Sequence, residues 1–279
     1  HGHVFHSYFN SLKSNFFIQT ERFLARKSDA IIAISGQQHK ELTEEFRIAP
    51  KEKFRIIPLG LDLDKFQTDQ ETKRKQFRTA FGVADDEIAI GIIGRLVPVK
   101  NHTLFLNALK HVLSHTSKKV KAFIIGDGET RQELEALAHQ SNIAFSTEKD
   151  ANHLHQLVFT SWRSDVDHIM AGLDIVTLTS FNEGTPVSLI EAQAANKPIV
   201  STRVGGISDI VIEGETGLLA DVQDEATFAG HLLQLVENDT LRLRLGANSC
   251  AHVMQRFSYQ RLMRDMSALY NELLQKKKR

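Results

Sequence analysis

Short apolar runs alternate with amphipathic stretches along most of the chain. The first two runs are residues 30–35 (AIIAIS) and 54–60 (FRIIPLG), with a helical pattern around Gln38 to Phe46 between them. Runs this short and this uniformly apolar are typical of strands that are buried on both faces. Strands that alternate with helices in this way predict an α/β protein with parallel sheets.

The charged segment 67–75 (QTDQETKRK) interrupts the alternation, and we interpret it as a surface linker between two domains. Residues 141–155 are polar and without a clear period, which predicts a loop or an insertion. The strands predicted after the linker are 88–93, 121–126, 157–160, 174–179 and 197–201, and the helices are 103–113, 131–139, 188–195 and 259–274. Parallel strands joined by crossover helices predict a doubly wound domain.

The first block is small for a domain of this type. Residues 1–66 supply two or three strands and two helices, too few to cover both faces of a doubly wound sheet. We therefore predict an incomplete first domain over residues 1–67, a second domain over 68–257, and a final helix over 258–279 that packs back toward the first domain.

Composition excludes several classes of protein. Lys and Arg together number 34, as do Asp and Glu, which argues against a nucleic-acid binder held by bulk charge. Cys250 is the single cysteine, so an internal disulfide and a cysteine-based zinc site are both excluded, as is usual for a reducing compartment. No apolar run approaches the roughly 20 residues needed to cross a bilayer. These observations predict a cytoplasmic location.

The first residues, HGHVFHSYF, contain His1, His3 and His6. Two histidines separated by one residue can bind a metal ion, but no acidic residue or cysteine nearby would complete the coordination shell. We therefore predict no structural metal at this end of the chain.

Candidate chemistry gathers directly after the predicted strands, where ligands bind in open α/β sheets. Gly94 and Arg95 follow one strand, and Lys100 comes five positions after Arg95. A glycine turn, two cations and a helix start can together bind a diphosphate, although a plain exposed loop has the same composition. The turn at Gly126 and Asp127 follows the next strand and has the same two interpretations.

The segment after strand 174–179 contains two acidic residues. Glu183 lies in the predicted loop, Pro186 and Ser188 suit the first turn of a helix, and Glu191 follows about one turn later. A carboxylate accepts hydrogen bonds from vicinal hydroxyls, as acidic residues do on ribose in dinucleotide folds. The alternative is that Glu191 solvates the helix and Glu183 interacts with its dipole. The double-glycine turn at 203–209 also suits an anion.

Together these motifs resemble the retaining glycosyltransferases of family 4, which have the two-domain GT-B fold. Arg95 and Lys100, separated by four residues, are similar to the family's diphosphate clamp, and Glu183 and Glu191, separated by seven, match its paired-glutamate motif. The resemblance extends over residues 56–66 (IIPLGLDLDKF), 196–219 (NKPIVSTRVGGISDIVIEGETGLL) and 257–274 (FSYQRLMRDMSALYNELL).

The resemblance implies a GT-B fold of two Rossmann-like domains with parallel sheets, the first of them incomplete here. It implies that Arg95 and Lys100 bind the donor diphosphate and stabilise the leaving group, that Glu191 holds the ribose hydroxyls, and that Glu183 contacts the donor sugar. His1 would face that sugar, and the base pocket would lie near residues 161–163. The other implied donor-binding residues are Gly94, Gly126, Asp127, Gly184, Thr185, Pro186 and Val187. Two cations replace a metal in such enzymes, so no metal cofactor is expected.

The implied activity is transfer of a hexosyl unit from a nucleotide sugar, a UDP-sugar or alternatively a GDP-sugar, to a saccharide or lipid-linked acceptor with retention. Such proteins carry about a hundred further residues upstream, enough to complete a domain. We therefore expect this chain to bind UDP and to transfer sugar poorly. Three alternatives stay open: a GT-B epimerase, a phosphorylase, and a nucleotide-sugar-binding module without catalysis.

A stretch near the start of the chain suggests peripheral membrane contact. Phe16, Phe17, Phe23 and Leu24 lie among Lys13, Arg22, Arg26 and Lys27, and the chain ends in KKKR. A basic amphipathic helix of this kind suits an anionic membrane surface. The alternative is an ordinary helix whose apolar side packs inside the first domain.

Overall fold

Parallel strands organise both parts of the chain. The computed structural model describes residues 11–148, 150 and 155–277, with side chains from residue 15 onward. The chain forms two compact units. The second unit comprises Leu63–Asn182 and Pro186–Met254, and the first comprises the described residues up to Asp62, Glu183–Thr185 and those from Gln255 onward.

The second unit contains a seven-stranded, entirely parallel sheet of order β5-β6-β4-β3-β7-β8-β9. Its strands are β3 (Ile88–Ile93), β4 (Val120–Ile125), β5 (Phe145–Thr147), β6 (Leu157–Phe159), β7 (Ile175–Leu178), β8 (Ile199–Thr202) and β9 (Gly217–Ala220). Nearly every strand residue is buried, because helices cover both faces of the sheet. This arrangement confirms the predicted α/β class.

The helices of the second unit fall on the two faces of the sheet, with α4 against α8 and α3 against α6. Their bounds are α3 (Gln70–Ala80), α4 (His102–His115), α5 (Arg131–Gln140), α6 (Val166–Gly172), α7 (Val187–Ala194), α8 (Glu225–Glu237) and α9 (Asp239–Phe257). Phe105, Leu109 and Val112 of α4 are buried, as its periodicity predicts.

The prediction of a linker over residues 67–75 is wrong from Gln70 onward, where α3 begins. Phe77, beyond the charged segment, is buried against Phe81 and Phe123. The charged residues also have partners: Arg74 and Arg78 both donate to the Asp174 carboxylate, at 2.7 and 3.1 Å. A charge-rich segment therefore forms a packed helix because its cations pair with a buried acid.

Other elements were predicted incompletely. The loop predicted at 141–155 contains β5, a three-residue edge strand that pairs with β6 through Phe145 and Leu157. The sequence pattern does not predict strand β9 or helices α6, α8 and α9. β9 is the short run GLLA, which stands after a glycine turn and is too short to show a period.

The first unit contains the two-stranded parallel sheet of β1 (Ile31–Ala33) and β2 (Phe54–Ile56). Helices α1 (Ser11–Lys27), α2 (Gly36–Lys40) and α10 (Tyr259–Lys277) belong to this unit. Its buried core is Ala25, Ala33, Ile48 and Phe54. In α10, the Arg261 guanidinium donates to the Pro58 carbonyl at 2.8 Å, and Glu272 pairs with Arg55 at 2.9 Å, so this helix is tied to the β2 segment.

Helix α1 carries exposed apolar side chains. Phe16, Phe23 and Leu24 are each more than half exposed, whereas Ala25 is buried. None of the helices in the described part of the chain is long and apolar enough to cross a membrane. Peripheral membrane contact through α1 stays a prediction.

Candidate functional site

The strand order of the second unit places a topological switch point between β3 and β7. From β3 the chain moves to one side, through β4 to the edge strand β5 and back to β6, and from β7 it moves the opposite way through β8 to β9. In open α/β sheets the crevice at the carboxyl ends of such a strand pair is where ligands bind. The loops that follow β3 and β7 therefore define the candidate site.

The loop after β3 runs from Gly94 to Asn101 and is fixed to the end of β7. The Phe181 N–H donates to the Val99 carbonyl at 2.8 Å, and the Thr179 hydroxyl donates to the Lys100 carbonyl at 2.8 Å. Asn101 adopts a left-handed conformation, with φ of 48°, and starts α4. These bonds join the two loops of the switch point into one surface.

The two predicted cations belong to this loop. Arg95 is exposed, and Lys100 lies in the single helical turn Pro98–Lys100. A Cβ atom placed on Gly94 would lie 3.9 Å from Lys100 Cε, so the lysine side chain passes beside the end of β3. Lys100 thus lies next to Gly94 at the carboxyl end of β3.

Glycine is required in the neighbouring loop by close backbone contact. A Cβ atom on Gly126 would lie 2.0 Å from the Gly94 carbonyl oxygen, and Gly126 also has a φ of +140°. A Cβ atom on Gly128 would lie 2.3 Å from the Leu96 oxygen. Both glycines therefore allow the β4 loop to lie against the β3 loop, and the predicted approach of this turn to a ligand stays a prediction.

Asp127 connects three loops of this edge. Its carboxylate accepts from its neighbour Gly128 N–H at 2.8 Å and from the Ser161 hydroxyl at 3.2 Å, while its carbonyl accepts from Leu96 N–H at 2.9 Å. Asp127 thus holds the β3, β4 and β6 loops together. Its predicted direct contact with a donor stays a prediction.

Glu191 lies in the second turn of α7, after Pro186 and Val187. The residue before this helix, Pro186, has no side chain that can cap it, so Pro186 itself leaves the leading N–H groups available. Burial raises the pKa of Glu191 to about 7, and the positive charge of Lys65 opposes that rise. A carboxyl held in this way is half-buried and changes charge near neutral pH, which is typical of ligand-binding groups.

The remaining candidates lie elsewhere. Glu183, Gly184 and Thr185 occupy the loop between β7 and α7 and group with the first unit. His1 lies outside the described residues. The other candidates all belong to the second unit, where they follow β3, β4 and β7: Gly94, Arg95, Lys100, Gly126, Asp127, Pro186, Val187 and Glu191.

His102 is a residue of this edge that the sequence did not single out. Its ring is 3% exposed, and neither ring nitrogen has a hydrogen-bond partner among the described residues. Burial lowers its pKa to about 4, and the charge of Lys100 adds to the effect. The imidazole is therefore neutral beside the lysine of the β3 loop. In the sequence, the only indication that His102 belongs to this edge is its position directly after Lys100 and Asn101.

Arg163, in the predicted base-pocket region, has a structural role. Its guanidinium pairs with Asp165 at 2.5 Å and with Glu148 at 2.8 Å, and it stacks over the Phe81 ring. Glu148 also accepts from the Ser161 N–H at 3.1 Å. Trp162, between Ser161 and Arg163, is 59% exposed and projects its ring into solvent at the same strand end.

Comparisons with known proteins follow the same division of the chain. The family model described as glycosyl transferases group 1 matches residues 73–251, and the model for glycosyltransferase family 4 matches residues 1–65. A D-inositol 3-phosphate glycosyltransferase of Corynebacterium jeikeium is 28% identical, over 91% of this chain and 59% of its own. A capsular polysaccharide biosynthesis glycosyltransferase, CapM, of Staphylococcus aureus is 27% identical, over 88% of this chain and 62% of its own. The chain therefore spans about three-fifths of the length of these relatives.

Solved structures have the same fold. HepE of Anabaena, in complex with UDP, superposes with a TM-score of 0.80 at 20% identity, covering 94% of this chain and 68% of that one. Sucrose-phosphate synthase of Thermosynechococcus elongatus gives a TM-score of 0.76 at 21% identity, covering 93% and 62%. These likenesses confirm the predicted GT-B type fold.

Proposed function

Since the chain belongs to the glycosyl transferases group 1 family, we propose that it binds a nucleotide sugar at the carboxyl ends of β3 and β7 and belongs to a hexosyltransferase. The donor is a UDP-sugar, and the hexosyl unit passes to a saccharide or lipid-linked acceptor with retention of configuration. The observation that carries the proposal is the position of Arg95, Lys100 and the α7 helix start around one topological switch point.

The diphosphate is bound by charge and by backbone donors. The Arg95 guanidinium can donate two hydrogen bonds to phosphate oxygens, and Lys100 adds a compact positive charge. The uncapped first turn of α7 offers N–H groups to the same anion. As the nucleoside diphosphate leaves, negative charge grows on its bridging oxygen. The two cations stabilise that charge without a metal ion.

The ribose is bound by Glu191. The ionised carboxylate accepts from two vicinal hydroxyls, and this replaces the water that burial has removed from the side chain. Donor binding is therefore expected to favour the ionised form of Glu191. Glu183, with the N–H groups around Gly184 and Thr185, is proposed to contact the donor sugar, and His1 to face it.

The names of related proteins support the classes of donor and acceptor. HepE has been crystallised with UDP and with UDP-glucose. An Escherichia coli relative, 25% identical over 80% of this chain and 55% of its own, is named as a galactosyltransferase acting from UDP-Gal on a diphosphoundecaprenol-linked sugar. A cytoplasmic location and contact with a membrane surface through α1 fit a lipid-linked acceptor and are part of the proposal.

Titration calorimetry with UDP tests the donor site. We expect Arg95→Ala and Lys100→Ala each to weaken UDP binding by about 10–100-fold, the effect of losing one charge-assisted hydrogen bond. Lys110→Ala, an exposed lysine on α4, is the matched control and should bind UDP like the wild type. Equal UDP affinity in all three variants would refute the proposed site.

Catalysis is tested separately, by the fate of a labelled UDP-hexose with saccharide and lipid-linked acceptors. A transferase forms a glycosylated acceptor with the anomeric configuration of the donor. An epimerase returns an isomeric UDP-hexose, and a binding module leaves the donor unchanged while still binding UDP. Slow transfer is expected from this chain. An isomeric UDP-hexose, or the complete absence of glycosylated acceptor, would overturn the transferase proposal without affecting the binding site.

A further inference from the structure

Helix α4 carries two histidines at its carboxyl end, His111 and His115. They lie four residues apart and therefore on one face of the helix. Their ring centroids are 4.1 Å apart and the ring planes are inclined by 25°, so the two imidazoles are stacked. The pair lies about 13–20 Å along α4 from its first residue, His102, at the rise of an α-helix.

The hydrogen bonds of His115 fix which of its ring nitrogens can bind a ligand. Nδ1 lies 2.8 Å from the His111 carbonyl oxygen, which can only accept, so Nδ1 carries the proton. The Ser114 hydroxyl, 3.3 Å from the same nitrogen, donates to the Lys110 carbonyl and so presents its oxygen to the ring. The lone pair of His115 is therefore on Nε2. An Nδ1–H bond to a backbone carbonyl is the usual arrangement behind a metal-binding histidine.

The surroundings also favour a cation. His115 is the last residue of α4, where the helix dipole places partial negative charge. Glu237 lies at the same end and accepts from the Thr116 hydroxyl. Lys118, which follows the helix, is already paired with Asp239 at 2.6 Å.

We propose that His111 and His115 form a two-ligand site for a divalent transition-metal ion that prefers imidazole, the class of Zn²⁺, Ni²⁺ and Cu²⁺. Histidines at i and i+4 on a helix can bind one ion from a single face. His115 keeps its Nδ1–H bond to the His111 carbonyl, so the ring that turns about χ2 to direct its lone pair to the same ion is that of His111, and this torsion is broad in histidine. Water completes the shell, and the site does not depend on the proposed sugar transfer.

The test is titration of the whole chain with CuCl₂ and ZnCl₂, followed by calorimetry. We expect His111→Ala and His115→Ala each to remove the same single binding equivalent, or to weaken it more than about tenfold, and the double variant to lose nothing further. Cu²⁺ should bind more tightly than Zn²⁺. His139→Ala is the matched control because His139 is a lone exposed histidine in the last turn of α5, and it should leave the titration unchanged.

Electron paramagnetic resonance of the Cu²⁺ complex gives a second readout that does not depend on affinity. The wild type should show two equivalent nitrogen ligands at this site, and each single variant should lose that signature. The proposal is refuted if both single variants titrate like the wild type. It is also refuted if one histidine alone accounts for all the binding, because the metal ion would then have only one protein ligand.

Discussion

Glu191 links the stability of the second unit to donor binding, and the change Glu191→Gln separates the two. Burial raises the pKa of this carboxyl from 4.5 to about 7. Its stabilising contribution is therefore fully present below pH 4.5 and is lost as the pH rises through 7, because the folded state then has to hold a buried negative charge. The difference corresponds to about 3 kcal/mol, and solvent around the half-buried side chain reduces the expected value to about 2 kcal/mol.

Glutamine has the shape of the protonated acid and cannot ionise. We therefore expect Glu191→Gln to unfold at a temperature about 4–8 °C above the wild type at pH 8, and at nearly the same temperature at pH 4.5. At pH 8 the same variant should bind UDP at least tenfold more weakly, since the amide offers one acceptor where the carboxylate offers two. Thermal unfolding followed by circular dichroism, across pH 4.5–8, measures the first effect. A stability difference that does not change with pH, or a variant less stable than the wild type at pH 8, would refute the reasoning.

Three further predictions follow from the same structure. UDP affinity should increase as the pH rises from 5.5 to 7.5 and then level off, because Glu191 must ionise to accept the ribose hydroxyls; calorimetry that finds a flat profile contradicts this role. Gly126→Ala should destabilise the fold by about 3 kcal/mol or more, because the added Cβ atom would collide with the Gly94 oxygen. The control is Gly230→Ala in α8, where an added Cβ atom meets no neighbouring atom, and it should be neutral or stabilising by up to about 1 kcal/mol. Urea unfolding measures both changes. Asp174→Asn should cost about 3 kcal/mol, because two arginines of α3 lose their ionised partner, and an unfolding curve like that of the wild type would show that those ion pairs contribute nothing.

The sequence predicted the structure best where a single local rule, such as the apolar composition of a buried strand, determines the element. Each of the mainly apolar runs 88–93, 121–126 and 174–179 forms a central strand of the sheet, because strands buried on both faces consist mostly of apolar residues. Gly94 and Gly126 follow strand ends, where a glycine turn lets the backbone approach a ligand. The structure shows the two glycines in contact with each other, and their approach to a ligand stays a prediction.

Where partners lay far away in the sequence, the pattern was not sufficient. The cations of α3 pair with Asp174, about a hundred positions further along the chain. The local sequence of residues 67–75 shows only charged residues and therefore does not predict a packed helix. Asp127 was expected to contact a donor, but a single sequence does not show that Ser161 comes within 3.2 Å of its carboxylate. His102 was overlooked because burial of a lone polar ring is a tertiary property.

The central claim is that the β3 and β7 strand ends bind the diphosphate of a nucleotide sugar, and a calorimetric comparison of UDP, UMP and uridine tests it most directly. The wild type should bind UDP most tightly and uridine most weakly, with each phosphate adding about tenfold or more. In Arg95→Ala the difference between UDP and UMP should largely disappear. Equal affinity for UDP and uridine in the wild type, or an unchanged preference for UDP in Arg95→Ala, would contradict the account.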